Sequence, residues 1–521
     1  MHQSTAIQPD RQGIMAGSDV TISKPRGQKS CLNCKNRKIA CDRLMPVCSS
    51  CKRRKKICSG YDYNLSWPRD GDERRAMTVQ VRSQKYRANT FAFLNTSNVD
   101  VRLYYETNSQ DSLTNNKKMS VWIPSPTRSP QLPRFGSNKR PIYDTEISSA
   151  VRLITSRGDL RQDVCGLLRR MALTDNGVSS LAVRYAMNAI SYLYLRMPDE
   201  AMMHQMRAVS ALQGAIDRIV DPRCRAQAIA ASLLLSLYEV LCPSGKTTVW
   251  SVHFDGCMTI VKSSYHGRRE ADGENAVLLD WVFYHNVLYK FSLQHWQKRT
   301  PEMVAIAQRD MLIAKIVSLD HFHTIHSTLG CSLELLEFLS QAIDLIKDRD
   351  DPDYLSKSHS HAIYNLEGQI RDMSQQLCSG IDREDYHVVG SRKRYLTIAR
   401  MYQLAVLIYL DRVVRGSLAD SRLSRTSAEE ALGLLSNLGL CERPFIMIML
   451  ALQTESDGDR LLVLSALKNA INERPLSNLS STEQIIRRIW AQQDLHGNGQ
   501  ADALKMLNTI ISSNDIPPSF T

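Results

Sequence analysis

Residues 31–58 read CLNCKNRKIACDRLMPVCSSCKRRKKIC, and six of the chain's thirteen cysteines fall in this stretch. Cys31, Cys34, Cys41, Cys48, Cys51 and Cys58 follow C-x2-C-x6-C-x6-C-x2-C-x6-C, so the second triplet repeats the spacing of the first. A C-x2-C pair brings two thiolates to one ion from a tight turn, and a third cysteine further along closes the site. Zinc takes four ligands in a tetrahedron, and each triplet offers three. Two sulfurs shared between two ions would complete both sets, so the spacing predicts two zinc ions on six thiolates, with the shared pair left open. The spacing does not fit iron–sulfur ligation of the C-x2-C-x2-C-x3-C-P kind. A segment this short has little apolar core of its own, so metal binding should supply its folding energy.

Charge is concentrated in the same place. The 521-residue chain carries a formal net charge of +13. From Lys24 to Cys58 there are twelve Lys/Arg residues against one acid, Asp42, a local net charge of +11. Clustered positive charge suits a polyanion, because each neutralised phosphate releases condensed counterions. Beside the spaced cysteines it points to double-stranded DNA.

The pattern and its surroundings resemble the fungal Zn2Cys6 binuclear cluster family of transcription factors. The resemblance implies that the short helix after Cys34 presents Lys35, Arg37 and Lys38 to DNA, with Lys38 reading base edges of CGG-type triplets in the major groove. It assigns Lys52, Arg53 and Arg54 to the DNA-facing surface of the second half. The run Lys52, Arg53, Arg54, Lys55, Lys56 also reads as a nuclear-localisation signal, which places the protein in the nucleus. Pro46 sits in the connecting loop, as in the family. Ala40 stands where members commonly carry Lys or Arg, which removes one phosphate contact.

Beyond the cluster, GYDYNLSWPRDGDERRAM contains Gly60, Pro68 and Gly71 and cannot be one helix. No heptad of apolar a and d positions follows, so the coiled coil through which many members dimerise is missing, and a homodimer is one option among others. Five prolines lie between Pro124 and Pro141. Residues 61–142 therefore read as a linker, largely irregular, with short strands in TVQVRSQ (78–84) and DVRLYYE (100–106). From residue 143 to 521 helical periodicity dominates: EISSAVRLI, VSSLAVRYAMNAISYLYLRM, HQMRAVSALQGAIDRIV and AIAASLLLSLYEVL all carry it. The expected architecture is a flexible tail at 1–28, a small Zn2Cys6 domain at 29–60, the linker, and a large all-α regulatory domain. The stretch LLSLYEVLCPSGKTTVWSVHFDG (234–256) and the segment Tyr61 to Trp67 resemble the arginine metabolism regulator II subfamily. The family resemblance implies a transcription regulator that works with the transcription machinery. It admits regulation of arginine or nitrogen metabolism and of biosynthetic gene clusters, the latter being the reading preferred. A zinc-cluster interaction partner or corepressor without specific DNA reading is the alternative that Ala40 and the missing coiled coil favour.

Other function classes find no support. With 43% hydrophobic and 23% charged residues the chain is expected to fold as a globular protein. The N-terminus lacks the charged-then-apolar run of a signal peptide, and the apolar stretch 226–241 is too short to span a bilayer and carries Glu239, so no membrane is expected as a partner. The other cysteines, at 165, 224, 242, 257, 331, 378 and 441, read as buried small hydrophobes. His321, His323, His326, His359 and His361 lack the spacing and the accompanying base of a metalloenzyme. Residues 494–505 begin like a calcium loop but end in Lys505 where a bidentate Glu is required. There is no dinucleotide, phosphate-loop or nucleophile-elbow motif, so no catalytic residues are assigned. His253 and Asp255 read as packing residues rather than an effector site.

Overall fold

The apolar spacing of the C-terminal region becomes a stack of helices in a computed structural model of the chain. It describes residues 30–42, 47–56, 58, 96–108, 164–216, 221–242, 250–264, 274–301, 322–326, 328–377, 386–473, 477–497 and 501–521. The chain divides into two units, Met1–Phe91 and Ala92–Thr521. The first unit contains α1 (Leu32–Asn36) and α2 (Ser49–Arg53). Their packing belongs to the metal centre.

The second unit opens with α3 (Asn98–Asn108). Here the expected strand DVRLYYE is corrected: its alternating Val101, Leu103 and Tyr105 do not line one buried face. Only Leu103 is buried, while Val101 and Tyr105 are 38% and 68% exposed. The helix starts on a capping box, in which Ser97 N donates to Asp100 Oδ2 at 2.8 Å and Asp100 N donates to Ser97 Oγ at 3.3 Å. The stretch expected as an irregular linker therefore includes a helix that packs on the C-terminal helices. The other expected strand, TVQVRSQ, and the helical stretch EISSAVRLI lie outside the described residues.

Next come α4 (Val164–Leu173), α5 (Val178–Tyr194), α6 (Pro198–Ile216), α7 (Pro222–Leu241), α8 (Trp250–Ser264) and α9 (Glu274–His295). Helices α5 and α6 form a hairpin whose tight turn places Arg196 at a φ of 59°. Helix α7 is apolar around most of its circumference. By length and composition it could cross a membrane, longer than the expected stretch, but it is buried inside the unit against α5, α6 and α8. Its Pro222 and the Asp221 cap, which accepts from Cys224 N at 3.2 Å, fix its start. One buried polar residue indexes this layer: Gln227 accepts from Ser179 Oγ at 2.6 Å and donates to Ser180 Oγ at 2.7 Å and to Met171 O at 3.1 Å. A side chain satisfied by three partners on α4 and α5 tolerates no slip of α7 along them.

The C-terminal half contains α10 (Leu333–Asp344), α11 (Lys357–Asp372), α12 (Tyr386–Tyr409), a π turn (Leu410–Val414), α13 (Arg422–Leu438), α14 (Pro444–Ala451), α15 (Asp457–Glu473), α16 (Ser477–His496) and α17 (Ala503–Ser512). Helix α14, PFIMIMLA, is buried at every residue. The π turn is fixed by charge: Asp411 accepts from Arg415 at 2.8 Å and from Ser417 Oγ at 2.7 Å, and Arg349 pairs with Asp502, the cap of α17, at 3.1 Å. Gly416 beside it has a φ of +77°, and a Cβ there would stand 2.5 Å from the Arg349 guanidinium, so both conformation and space demand glycine.

One hydrophobic core joins these helices from Val164 to Phe520. The last residues thread into it. Trp250 Nε1 donates to Pro517 O at 2.9 Å, Ser292 Oγ to Pro518 O at 2.7 Å, and Asn478 to Thr521 O at 2.7 Å, while the Phe520 ring meets Phe291 edge-on at 5.1 Å. Among the described residues there is no named strand, only an isolated parallel bridge between Thr324 and Gln376.

Candidate metal centre

Helices α1 and α2 are one short turn each because each exists to aim a cysteine pair. Cys31 caps α1 and its sulfur accepts from Cys34 N at 3.4 Å; Cys48 caps α2 and accepts from Cys51 N at 3.4 Å. Both helices end in the same way. Lys38 N donates to Lys35 O and Ile39 N to Cys34 O, each at 3.1 Å, and in the second half Lys55 N donates to Lys52 O and Lys56 N to Cys51 O, each at 3.1 Å. This is the Schellman pattern, which turns the chain through a left-handed residue. That residue is usually glycine; here it is Lys38 at a φ of 53° and Lys55 at a φ of 51°.

The turns bring the sulfurs together. Cys31, Cys34, Cys41 and Cys48 form one group whose ligand atoms all lie within 4.8 Å of one another, and Cys31, Cys48, Cys51 and Cys58 form a second. Cys31 and Cys48, the first cysteine of each half, belong to both. The Sγ atoms of Cys34 and Cys48, Cys31 and Cys48, and Cys31 and Cys51 are separated by 3.6, 3.7 and 3.8 Å. Four sulfurs about 2.3 Å from a zinc ion have tetrahedral edges of about 3.8 Å, so the residues fit the metal and two ions would share an edge. The crowding is otherwise unfavourable: the adjacent Cys48 sulfur, and then burial, push the Cys51 thiol up to about 12, and burial is the first cause raising Cys31 and Cys34. Dications reverse that penalty and bind the thiolate form.

All of the sequence-predicted basic residues lie on the outside of this centre. Lys35, Arg37, Lys38, Lys52, Arg53, Arg54, Lys55 and Lys56 are exposed, and so is Ala40. Asp42, noted in the sequence only as the one acid of the segment, has a structural task. Its two carboxylate oxygens accept from Ser49 N at 3.1 Å each, which fastens the first half to the start of α2. Ser50 Oγ donates to Ala40 O at 3.1 Å beside it. The N-cap rule would not have found it, because Asp42 lies six residues before Cys48, the cap of α2. Pro46 and Tyr61 to Trp67 lie outside the described residues.

The remaining candidates are not brought into a site. His323 is exposed and pairs with Glu334 at 2.8 Å, His359 accepts from Leu355 N at 3.1 Å and donates to Leu345 O at 2.8 Å, and His361 is exposed. His321 lies outside the described residues. Among the described residues, the metal-competent groups are the two cysteine sets alone. Cys257, Cys331 and Cys441 are buried as expected, while Cys224 and Cys242 are half-buried. His253 and Asp255 lie within α8, where burial lowers the histidine and raises the carboxyl to about 6.

Residues 29–68 match the fungal Zn(2)-Cys(6) binuclear cluster domain, and residues 141–510 match the fungal specific transcription factor domain. The chain is similar to a protein named transcription factor iacI of Pestalotiopsis fici, with 24% identity over 357 residues that cover 68% of this chain and 88% of that protein. No solved structure matches it. The Zn(2)-Cys(6) domain binds two zinc ions and DNA, and the families concerned are those of transcription factors, not enzymes. This chain therefore belongs to the fungal specific transcription factor domain family and carries the binuclear zinc cluster of that group at its N-terminal end.

Proposed function

We propose that this transcription factor reads CGG-type triplets through Lys38, set in the major groove, while Lys35, Arg37, Lys52, Arg53 and Arg54 contact phosphates. The observation that carries the reading is the left-handed turn at Lys38. A lysine held where glycine is cheaper costs about 1–2 kcal/mol. The cluster keeps it at the tip of α1, exposed, where an ammonium can donate to guanine O6 and N7. Lys55 repeats the conformation in the second half, and with Lys52, Arg53, Arg54 and Lys56 it supplies an exposed basic run suited to nuclear import.

In this reading the protein acts in the nucleus, the helical unit engages the transcription machinery, and the target is a fungal metabolic or secondary-metabolite gene cluster. Selection of bound duplexes from a random pool by the zinc-loaded full chain tests it. Enriched CGG triplets support the reading, and their spacing reports whether one copy or a homodimer binds. A second reading, an interaction partner or corepressor without base recognition, is favoured by exposed Ala40. Zinc-loaded protein that enriches no motif selects that reading instead.

A further inference from the structure

Helix α6 has its amphipathicity inverted in size. The residues it buries are Ala201, Ala208 and Ala215, a seven-residue repeat of the smallest apolar side chain. Val209 and Leu212 also pack against the core, but three large apolar residues face outward: Met202, Met203 and Met206 are 54%, 37% and 63% exposed. Alanine lets α6 lie close to its neighbours α5 and α7, but solubility gives no reason to place three methionines on the opposite face. Methionine is flexible and polarizable and suits surfaces that repack against a partner.

The charges on that helix identify the partner. Asp199 and Arg207 lie four residues to either side of Met203, both exposed, and neither is tied into an ion pair among the described residues. The pattern acid, methionine patch, base is complementary to itself when reversed. We propose that α6 pairs antiparallel with α6 of a second copy of this chain, about a two-fold axis at Met203. In that register Asp199 of each copy faces Arg207 of the other, so two ion pairs flank a methionine seam. An isologous contact of this kind uses one patch twice and closes on itself. A partner of a single charge sign, including an anionic membrane, would meet a matched residue at one end and a repelling one at the other.

The inference deepens the homodimer option of the proposed function, and it is tested without DNA so that either can fail alone. A single helix face, extended by Met197 in the preceding turn, falls short of the roughly 800 Å² per partner of a stable interface, so the dimer should be weak and concentration-dependent. Sedimentation velocity on the zinc-loaded full chain over a wide concentration range should show a reversible monomer–dimer equilibrium. M203E places two carboxylates at the axis and should weaken it at least tenfold. D199R and R207D should each weaken it several-fold, and D199R/R207D should return it to within about twofold of the parent. That rescue separates a lost contact from a misfolded variant. A chain that stays monomeric at every concentration overturns the proposal. So does a dimer indifferent to M203E, or a double variant no tighter than the singles.

Discussion

Cys31 Sγ and Cys48 Sγ lie 3.7 Å apart across seventeen residues of chain, and each belongs to both sulfur tetrahedra. They are the shared edge of the centre, whereas Cys34 and Cys41 serve one set and Cys51 and Cys58 the other. Loss of a shared sulfur therefore removes a ligand from both ions. C31S and C48S are expected to bind no zinc that survives gel filtration, whereas C58S should retain metal in the first set at low chelator. Zinc per chain, read by mass spectrometry as chelator is raised, decides it. Equal loss in C48S and C58S would mean the sulfurs are not shared in this way. Complete chelation should unfold α1 and α2, since each closes on ligand residues.

Lys38 and Lys52 stand at different places in the repeat, Lys38 at the left-handed turn after α1 and Lys52 within α2, and different tasks are proposed for them. K38A should cost about 1–3 kcal/mol of preference for a CGG duplex over a scrambled one, narrowing the gap between the two. K52A should weaken binding to both duplexes alike and lower the slope of affinity against salt by about one. Titration of both variants on both duplexes at several salt concentrations checks the assignment. Identical behaviour of the two lysines would remove base reading from Lys38.

Phe520 is 1% exposed, seated edge-on against Phe291 beside hydrogen bonds that hold the last carbonyls. F520A should destabilise the helical unit by about 3–5 kcal/mol, because the cavity sits in a core joined to several helices. L461A, at a leucine 63% exposed on α15, should stay within about 0.5 kcal/mol of the parent. Denaturant unfolding followed by tryptophan fluorescence measures both.

The burial of Phe520 also marks where sequence reasoning stops. Six cysteines at repeated spacing were enough to read two zinc ions, because ligand number and geometry are local chemistry. They did not reveal which sulfurs are shared: spacing treats the two halves alike, and sharing depends on how residues 31 and 48 approach in space. The helical unit was legible where periodicity is long, as in α5, α6 and α7. It failed at α3, where Val101, Leu103 and Tyr105 alternate by accident and the Ser97–Asp100 capping box was the better signal. The tail DIPPSF has no periodicity at all, and its place is set by contacts with residues as distant as Trp250 and Ser292, more than 200 positions away.

His295 ties pH to stability. A neutral ring protonated on Nδ1 donates to Asn508 Oδ1 at 2.7 Å and accepts at Nε2 from the Tyr409 hydroxyl at 3.0 Å. Complete burial, reinforced by Arg299 and opposed by Asn508, lowers the histidine to about 4, and burial lowers His285 to about 3. Above the unfolded value of 6.5 both states hold the neutral ring, and its contribution to stability is complete. As pH falls from there toward about 4, the unfolded chain takes up a proton that the folded chain refuses, and stability is lost. Below that the folded ring also protonates and the loss due to His295 levels off. H295Q keeps a donor and an acceptor but cannot titrate. The stability gap between parent and H295Q should therefore narrow by about 2–3 kcal/mol between about pH 7 and about pH 4.5. Denaturant midpoints of both proteins across that range measure the gap. A gap that stays constant would show that the folded chain protonates this ring as readily as the unfolded chain does, so that burial and the Tyr409 hydroxyl do not hold it neutral.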